Sequence, residues 1–152
     1  MALYVSRNTV FAATAGAKTI LKLITPTTFN IKIHEIKVSA DGVTSSAVPL
    51  TVEWGTSDET TAGTQNGTAV TTQVAGRVQA HGLTVGQNFS VEGTTYTIQD
   101  GIYIPQFMGL FVLQFPLGFE PESPGDAADS FLLRVNVTAN VNLLASLKWA
   151  RA

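Results

Sequence analysis

The chain reads as an all-β protein, an antiparallel β-sandwich of jelly-roll character with eight or nine strands. Three observations predict this. Apolar residues alternate strictly near the C-terminus, turn residues recur every eight to twelve positions, and no long segment carries the 3.6-residue period of an amphipathic helix. The alternation is clearest in Phe131, Leu133, Val135 and Val137, and then in Val141, Leu143, Ala145, Leu147 and Trp149. A period of two puts one set of side chains on each face of a strand. A two-residue loop would mix the faces, whereas a three-residue turn over Thr138 to Asn140 pairs Val137 with Val141 and Val135 with Leu143. The expectation is a terminal hairpin.

From the N-terminus, residues of about 1–15 read as a short arm before a single domain spanning 1–152. Ile20, Leu21 and Leu23 form a strand that Pro26 stops. Phe29, Ile31 and Ile33 share one parity and Ile36 and Val38 the other, so a bulge near His34 and Glu35 is needed to turn all five inward. Asp41-Gly42 starts a turn, and Val48, Leu50, Val52 and Trp54 make the next strand, with Pro49 marking an edge or an outward bulge. A long polar loop follows at about 55–76, of a length that in compact domains tends to be functional. Phe89 and Val91 read as a strand paired through a Glu92-Gly93 turn to Tyr96 and Ile98, with Ile102 and Ile104 extending the sheet. Leu110 to Phe115 reads as a strand buried on both faces or pressed against another subunit. Pro116 to Pro124 is a crossover without helix signals, and Asp126 to Asp129 a single helical turn.

Composition bounds the function. The 152 residues are 45% hydrophobic and only 13% charged, so the core is ample and the surface is left largely to Thr, Ser, Asn, Gln and Gly. A net charge of -2 without any cationic run argues against nucleic acid as a partner. Without cysteine there is no disulfide or thiolate site. Arg7 interrupts the N-terminal segment before any long apolar run, so no secretory signal is expected, and no stretch has the length of a membrane span.

The search for chemistry yields little. His34 and His81 stand in no metal-binding spacing; His34 reads as a hydrogen-bonded or surface histidine and His81 as solvent-exposed. No nucleophile elbow occurs. Glu120 and Glu122 have a spacing that puts both on one side of an extended segment, but between prolines they read as a solvated acidic loop. With Asp126 and Asp129 they offer oxygen ligands for Ca²⁺ without the spacing of a calcium loop. Trp54 and Trp149 close alternating faces and read as core, although an exposed tryptophan would stack on a sugar. Tyr103, Phe107, Phe111, Phe115 and Phe119 lie partly in connectors, where with Met108 they suit a subunit interface. No catalytic group, cofactor or metal is expected.

The stretch from Ala15 to Thr64 resembles the N-terminal half of small virion proteins encoded in tailed-phage head gene clusters. The likeness runs through an "AxKTxLxL" strand, a "KIxEIxVSxDG" strand, a "PLxVE" strand and a Thr-rich loop ending in TTAGT. More loosely it continues through Pro116-Leu117-Gly118, Asp129-Ser130-Phe131 and Ala145-Ser146-Leu147. The resemblance implies a capsid decoration (cement) or auxiliary head protein with a β-sandwich fold, often trimeric. Such proteins often have an Arg just after the third strand, where this chain has Gly55-Thr56-Ser57, and no functional residue is carried over.

The expected function is therefore structural: binding the outer surface of an icosahedral phage head and stabilising the major capsid protein lattice, as a homo-oligomer with a trimer favoured. The chain would be made in the host cytoplasm and reside on the virion exterior. Expected assembly contacts are Thr60, Thr61, Gln65 and Asn66 of the polar loop, together with Phe107, Met108 and Phe111. The alternative is a carbohydrate-binding module or virion adhesin.

Overall fold

The computed structural model describes residues 1–43, 48–58, 63–107, 109–123 and 129–152, with Asp58 known by its backbone alone. No helix occurs among them; twelve strands form two antiparallel sheets that face each other across a shared core. The seven-stranded sheet holds β1 (Leu3–Arg7), β2 (Phe11–Ala13), β4 (Ile31–Ala40), β6 (Val70–Ala75), β9 (Leu110–Gln114), β10 (Glu122–Ser123) and β12 (Val141–Arg151). Its order is β10-β4-β12-β1-β6, with β9 also on β4 and β2 on β12. The five-stranded sheet runs β7 (Thr84–Gln87), β3 (Gly16–Ile24), β11 (Asp129–Val137), β5 (Leu50–Asp58) and β8 (Tyr96–Ile104). Twelve strands exceed the expected eight or nine: β1, β2, β6, β7 and β10 show no readable apolar alternation facing the core, whereas the strand expected at Phe89 and Val91 is absent and those expected at Tyr96–Ile98 and Ile102–Ile104 are one strand, β8.

The terminal hairpin is not formed. β11 pairs with β3 and β5, β12 with β4, β1 and β2, and residues 138–140 carry the chain from one sheet to the other. The expected faces are nevertheless right. Phe131, Leu133, Val135 and Val137 all point inward, as do Val141, Leu143, Ala145, Leu147 and Trp149. An arch between facing sheets keeps two strands inward-facing as well as a hairpin does, and it gives each a central place with neighbours on both edges.

The bulge at His34 is present. Lys148 lies opposite Glu35 and Trp149 opposite Ile33, so His34 is the extra residue, and Ile31, Ile33, Ile36 and Val38 are fully buried with Phe29 partly so. Pro49 marks no edge, since it precedes β5, which lies between β11 and β8.

The expected arm at residues 1–15 is instead built into the seven-stranded sheet as β1 and β2. Tyr4 stacks on Trp149 with ring centroids 4.6 Å apart, and the Trp149 indole donates to Ser6 Oγ at 2.9 Å. Between β1 and β2, Asn8 is buried: its Oδ1 accepts the Ala145 N–H at 2.8 Å and its Nδ2 donates to Asn88 Oδ1 at 3.0 Å. Asn88 has a left-handed backbone (φ 50) and donates in turn to the Thr9 carbonyl. This satisfied polar clamp ties the first strands to the end of β7 in the opposite sheet.

The polar loop at 55–76 is largely structured at its two ends. β5 continues through Gly55, Thr56 and Ser57 to Asp58, and β6 occupies Val70 to Ala75. Gly55 is fitted to its place, because a Cβ there would come within 2.0 Å of the Thr97 carbonyl oxygen. Of the described residues between them, 63–69 hydrogen-bond to β7: the Asn66 N–H reaches the Gln87 carbonyl and the Ala69 N–H the Val85 carbonyl. The hairpin expected about Glu92-Gly93 is also absent. Val91 bridges Thr64, and β8 is a single strand containing Tyr96, Ile98, Ile102 and Ile104. β9 is an edge strand rather than one buried on both faces: Phe111, Leu113 and Phe115 pack on the core, while Leu110 and Val112 are exposed. The helical turn expected at Asp126 to Asp129 falls outside the described residues apart from Asp129, which opens β11.

Candidate interaction surface

Several titratable groups are occupied by one another. Glu122 pairs with Lys32 at 3.0 Å, and the hydrogen bond that the Lys32 ammonium donates to that carboxylate raises it above its ordinary range. Glu120 Oε1 lies 3.7 Å from His34 Nδ1, and hydrogen bonds from its own N–H and that of Gly118 hold its carboxyl below the usual range. The two carboxylates thus face β4 and not one another across a cleft. His34 Nε2 is buried without a hydrogen-bond partner among the described residues. His81 is half-buried and not solvent-exposed: its ring meets Tyr4 edge-on and its Nδ1 accepts the Leu83 N–H at 3.2 Å. No group of three or more His, Asp or Glu that could hold a metal occurs among the described residues.

Of the expected assembly contacts, Thr60, Thr61 and Met108 lie outside the described residues. Gln65 and Asn66 are exposed beside β7, and Phe107 is exposed at one end of the sandwich, where Gly42 bridges it. Phe111 is elsewhere, stacked on Trp54 with centroids 6.0 Å apart. Trp54 and Trp149 are both buried, so neither offers a ring to a sugar.

What the sequence did not disclose is a difference between the outer faces of the two sheets. The five-stranded sheet is covered by its own chain. Lys22, Leu132 and Arg134 occupy outward positions, yet all three are more than nine-tenths buried. Residues 88–96 lie over them: the Phe89 ring sits 5.8 Å from the Lys22 ammonium and Tyr96 stacks on the Arg134 guanidinium at 4.0 Å. The Glu92 carboxylate accepts from the Thr19 N–H at 2.6 Å and from its hydroxyl at 2.5 Å, which pins this flap to β3.

The seven-stranded sheet has no such cover among the described residues. Pairing registers place its outward side chains in rows, because directly opposed residues share a face. One row runs Val112, Lys37, Ser146, Arg7, Val70; a second runs Leu110, Ser39, Leu144; a third runs Gln114, Glu35, Lys148, Val5, Thr72. Leu110, Val112, Leu144 and Val70 are exposed, as is Val10 beside Leu144. Three adjoining depressions of about 370, 130 and 180 Å³ share lining residues and form one trough along β12 from Asn140 to Ser146. The third row is closed by charge. Glu35 Oε2 accepts from Gln114 at 2.8 Å and from Lys148 at 3.1 Å, and these bonds hold its carboxyl below the ordinary range. Arg7 and Lys37, flanking Ser146, have no carboxylate within ion-pair distance among the described residues, although Lys37 lies near enough to Glu35 to help hold that carboxyl below its ordinary range. Exposed aliphatic residues thus stand on one sheet face with two cations and serines between them.

No protein-family model matches the chain, and no curated protein does. Among solved structures, the T13 viral particle of infectious bursal disease virus is similar over 97% of this chain and 38% of that chain, at 14% identity and a TM-score of 0.23. The VP2 subviral particle of the same virus is similar over 97% of this chain and 40% of that one, at 14% identity and a TM-score of 0.22. The chain spans about two fifths of the length of these proteins, and likenesses so slight carry no argument about family or function.

Proposed function

We infer that the chain is a structural virion protein that attaches to the outer surface of an icosahedral phage head and stabilises the capsid lattice. The observation that carries this reading is the open face of the seven-stranded sheet: exposed Leu110, Val112, Leu144, Val10 and Val70 lie on a rigid sheet whose inner side is solid core. The motifs from Ala15 to Thr64 support it by resemblance, and they carry the expectation of a homotrimer. A protein of this kind needs a rigid body and a contact face, and its stabilising effect comes from binding the assembled lattice in preference to free subunits.

The test is to add the purified protein to heads that lack it, at low and at about half-molar salt, and to follow retention and the temperature of rupture. Retention with a raised rupture temperature is expected. Heads that neither retain it nor gain stability at either salt would reject the reading and favour an adhesin. A sugar site would then have to rest on Tyr103 and Phe119, since both tryptophans are buried.

A further inference from the structure

We propose that the trough along β12 receives an extended segment of a different protein, one in which an aliphatic residue and a carboxylate are two positions apart on the same face. The proposal rests on the decoration reading for the identity of the partner, the capsid lattice, but the chemistry of the segment follows from the sheet face alone.

Leu144 and Ser146 are two residues apart on the outward side of β12, a spacing of about 6.6 to 6.8 Å along a strand. Around Leu144 the trough is apolar, with Val10 on one side and Leu110 beyond Ser39 on the other. Around Ser146 it is cationic, with Arg7 on one neighbouring strand and Lys37 on the other, and all three line the same 180 Å³ depression. A strand laid over β12 has the same repeat. Its side chains toward the sheet are therefore asked to be aliphatic over Leu144 and anionic over Ser146, where a carboxylate meets two donors of opposite charge.

Charge also selects against a two-fold pairing of this face with the same face of a second copy of this chain. In a two-fold pairing about Ser146, Arg7 and Lys37 would meet their own counterparts, and like charges brought together oppose association. The carboxylates nearest this face cannot relieve that, because Glu35 is held by Gln114 and Lys148, and Asp41 accepts from the Asn142 N–H and side-chain amide, both at 2.9 Å.

The first arm of the test uses a capped five-residue peptide with leucine second, glutamate fourth and threonine elsewhere, against the same peptide with glutamine fourth. Titrated at millimolar concentration into the isotope-labelled protein, the glutamate peptide should shift the amides of Arg7, Lys37, Ser39, Leu144 and Ser146 and bind at least about fivefold more tightly than its glutamine counterpart. In Arg7→Gln/Lys37→Gln the preference for glutamate should vanish. Equal binding of the two peptides, or shifts centred elsewhere, would overturn the proposal.

The second arm uses heads. Arg7→Glu/Lys37→Glu should lower retention at low salt by about tenfold or more, while Arg77→Glu, outside these rows, should not. Wild-type retention matched by the doubly reversed protein would overturn the proposal and leave the decoration reading standing. Wild-type protein that fails to bind heads would remove that reading, and the peptide titration would then decide the proposal by itself. A homo-oligomer that Leu144→Asp dissociates in sedimentation would assign the face to a second copy and overturn the proposal as well.

Discussion

Leu132 and Leu144 hold equivalent places, each on the outward side of a central strand, yet Leu132 is 2% exposed and Leu144 48%. The strands that carry them are alike in place, since each has neighbours on both edges and carries a leucine at an outward position. The difference lies in the connections. Around β7 the chain turns sharply at Asn88 and lays Phe89, Glu92 and Tyr96 across the outer face of the five-stranded sheet. No described segment does the same for the seven-stranded sheet. A sandwich with one side closed and one open is directional, and its open side is where a partner gains most by burying aliphatic surface.

The inner layer common to both sheets sets the scale. Trp149→Ala removes a fully buried indole that stacks on Tyr4 and donates to Ser6, and should cost about 3 to 5 kcal/mol in urea unfolding. A loss below about half a kcal/mol would mean that the ring is exposed in solution and that the description of the core is wrong.

Phe89→Ala addresses the closed side. The ring is buried outside the main core, so its removal should cost about 2 to 3 kcal/mol, less than the tryptophan, and should speed amide exchange in β3 before β12. A neutral result would show that the flap is loose and the two outer faces alike. Replacing residues 63–69 by a short Gly-Ser linker tests the same cover, because it removes backbone bonds to Val85 and Gln87 that a solvated loop would not make. That change should lower stability measurably, and unchanged stability would break the comparison from the same side.

Glu35 offers a smaller effect on the open side. Its carboxyl is held below the ordinary 4.5 by the hydrogen bond from Gln114 and the Lys148 ammonium. A group depressed on folding contributes stability above its unfolded value and loses it as the pH falls through the folded value. Glu35→Gln should therefore flatten part of the acid limb below about pH 4.5 and cost under about 1 kcal/mol at neutral pH, as partly exposed pairs do. An unchanged acid limb would show the third row to be open as well.

How far the sequence disclosed all this depends on what alternation can carry. It set the faces of β11 and β12 and required the bulge at His34, because a change of phase has a single structural remedy. It could not choose pairing partners, since a hairpin and an arch between sheets leave the same residues inward. β1 and β6 escaped for a sharper reason. β1 turns Tyr4 and Ser6 inward, with the buried Asn8 just past its end, and β6 turns Thr71 and Gln73 inward; Ser6, Asn8 and Thr71 bond to the Trp149 indole, the Ala145 N–H and the Ser6 hydroxyl, Gln73 bonds to turn groups at the surface, and Leu3, Val5, Val70 and Val74 face outward. Apolar alternation taken to mark the core inverts such strands. That inverted phase makes β1 resemble an arm and β6 a polar loop. The aromatic group expected to suit an interface divides: Tyr103, Phe107 and Phe119 are exposed, whereas Phe111 and Phe115 pack on the core beside Trp54.

The smallest expected effect is the most direct test of openness. Leu144 is surrounded on the outer face by Ser39, Ser146 and Val10, and nearly half of it meets solvent, so truncating it removes little buried area. Leu144→Ser should leave unfolding free energy within about half a kcal/mol of the wild type, as surface changes away from packed features do. The same substitution at the equivalent position of the closed sheet, Leu132→Ser, should cost about 2 kcal/mol or more, because it places a hydroxyl where the flap excludes water. The contrast between the two variants matters more than either value, since both remove the same atoms from the same kind of strand. Equal costs would show that the outer faces are covered to the same degree in solution, and the directional character of the sandwich would be lost with the contrast.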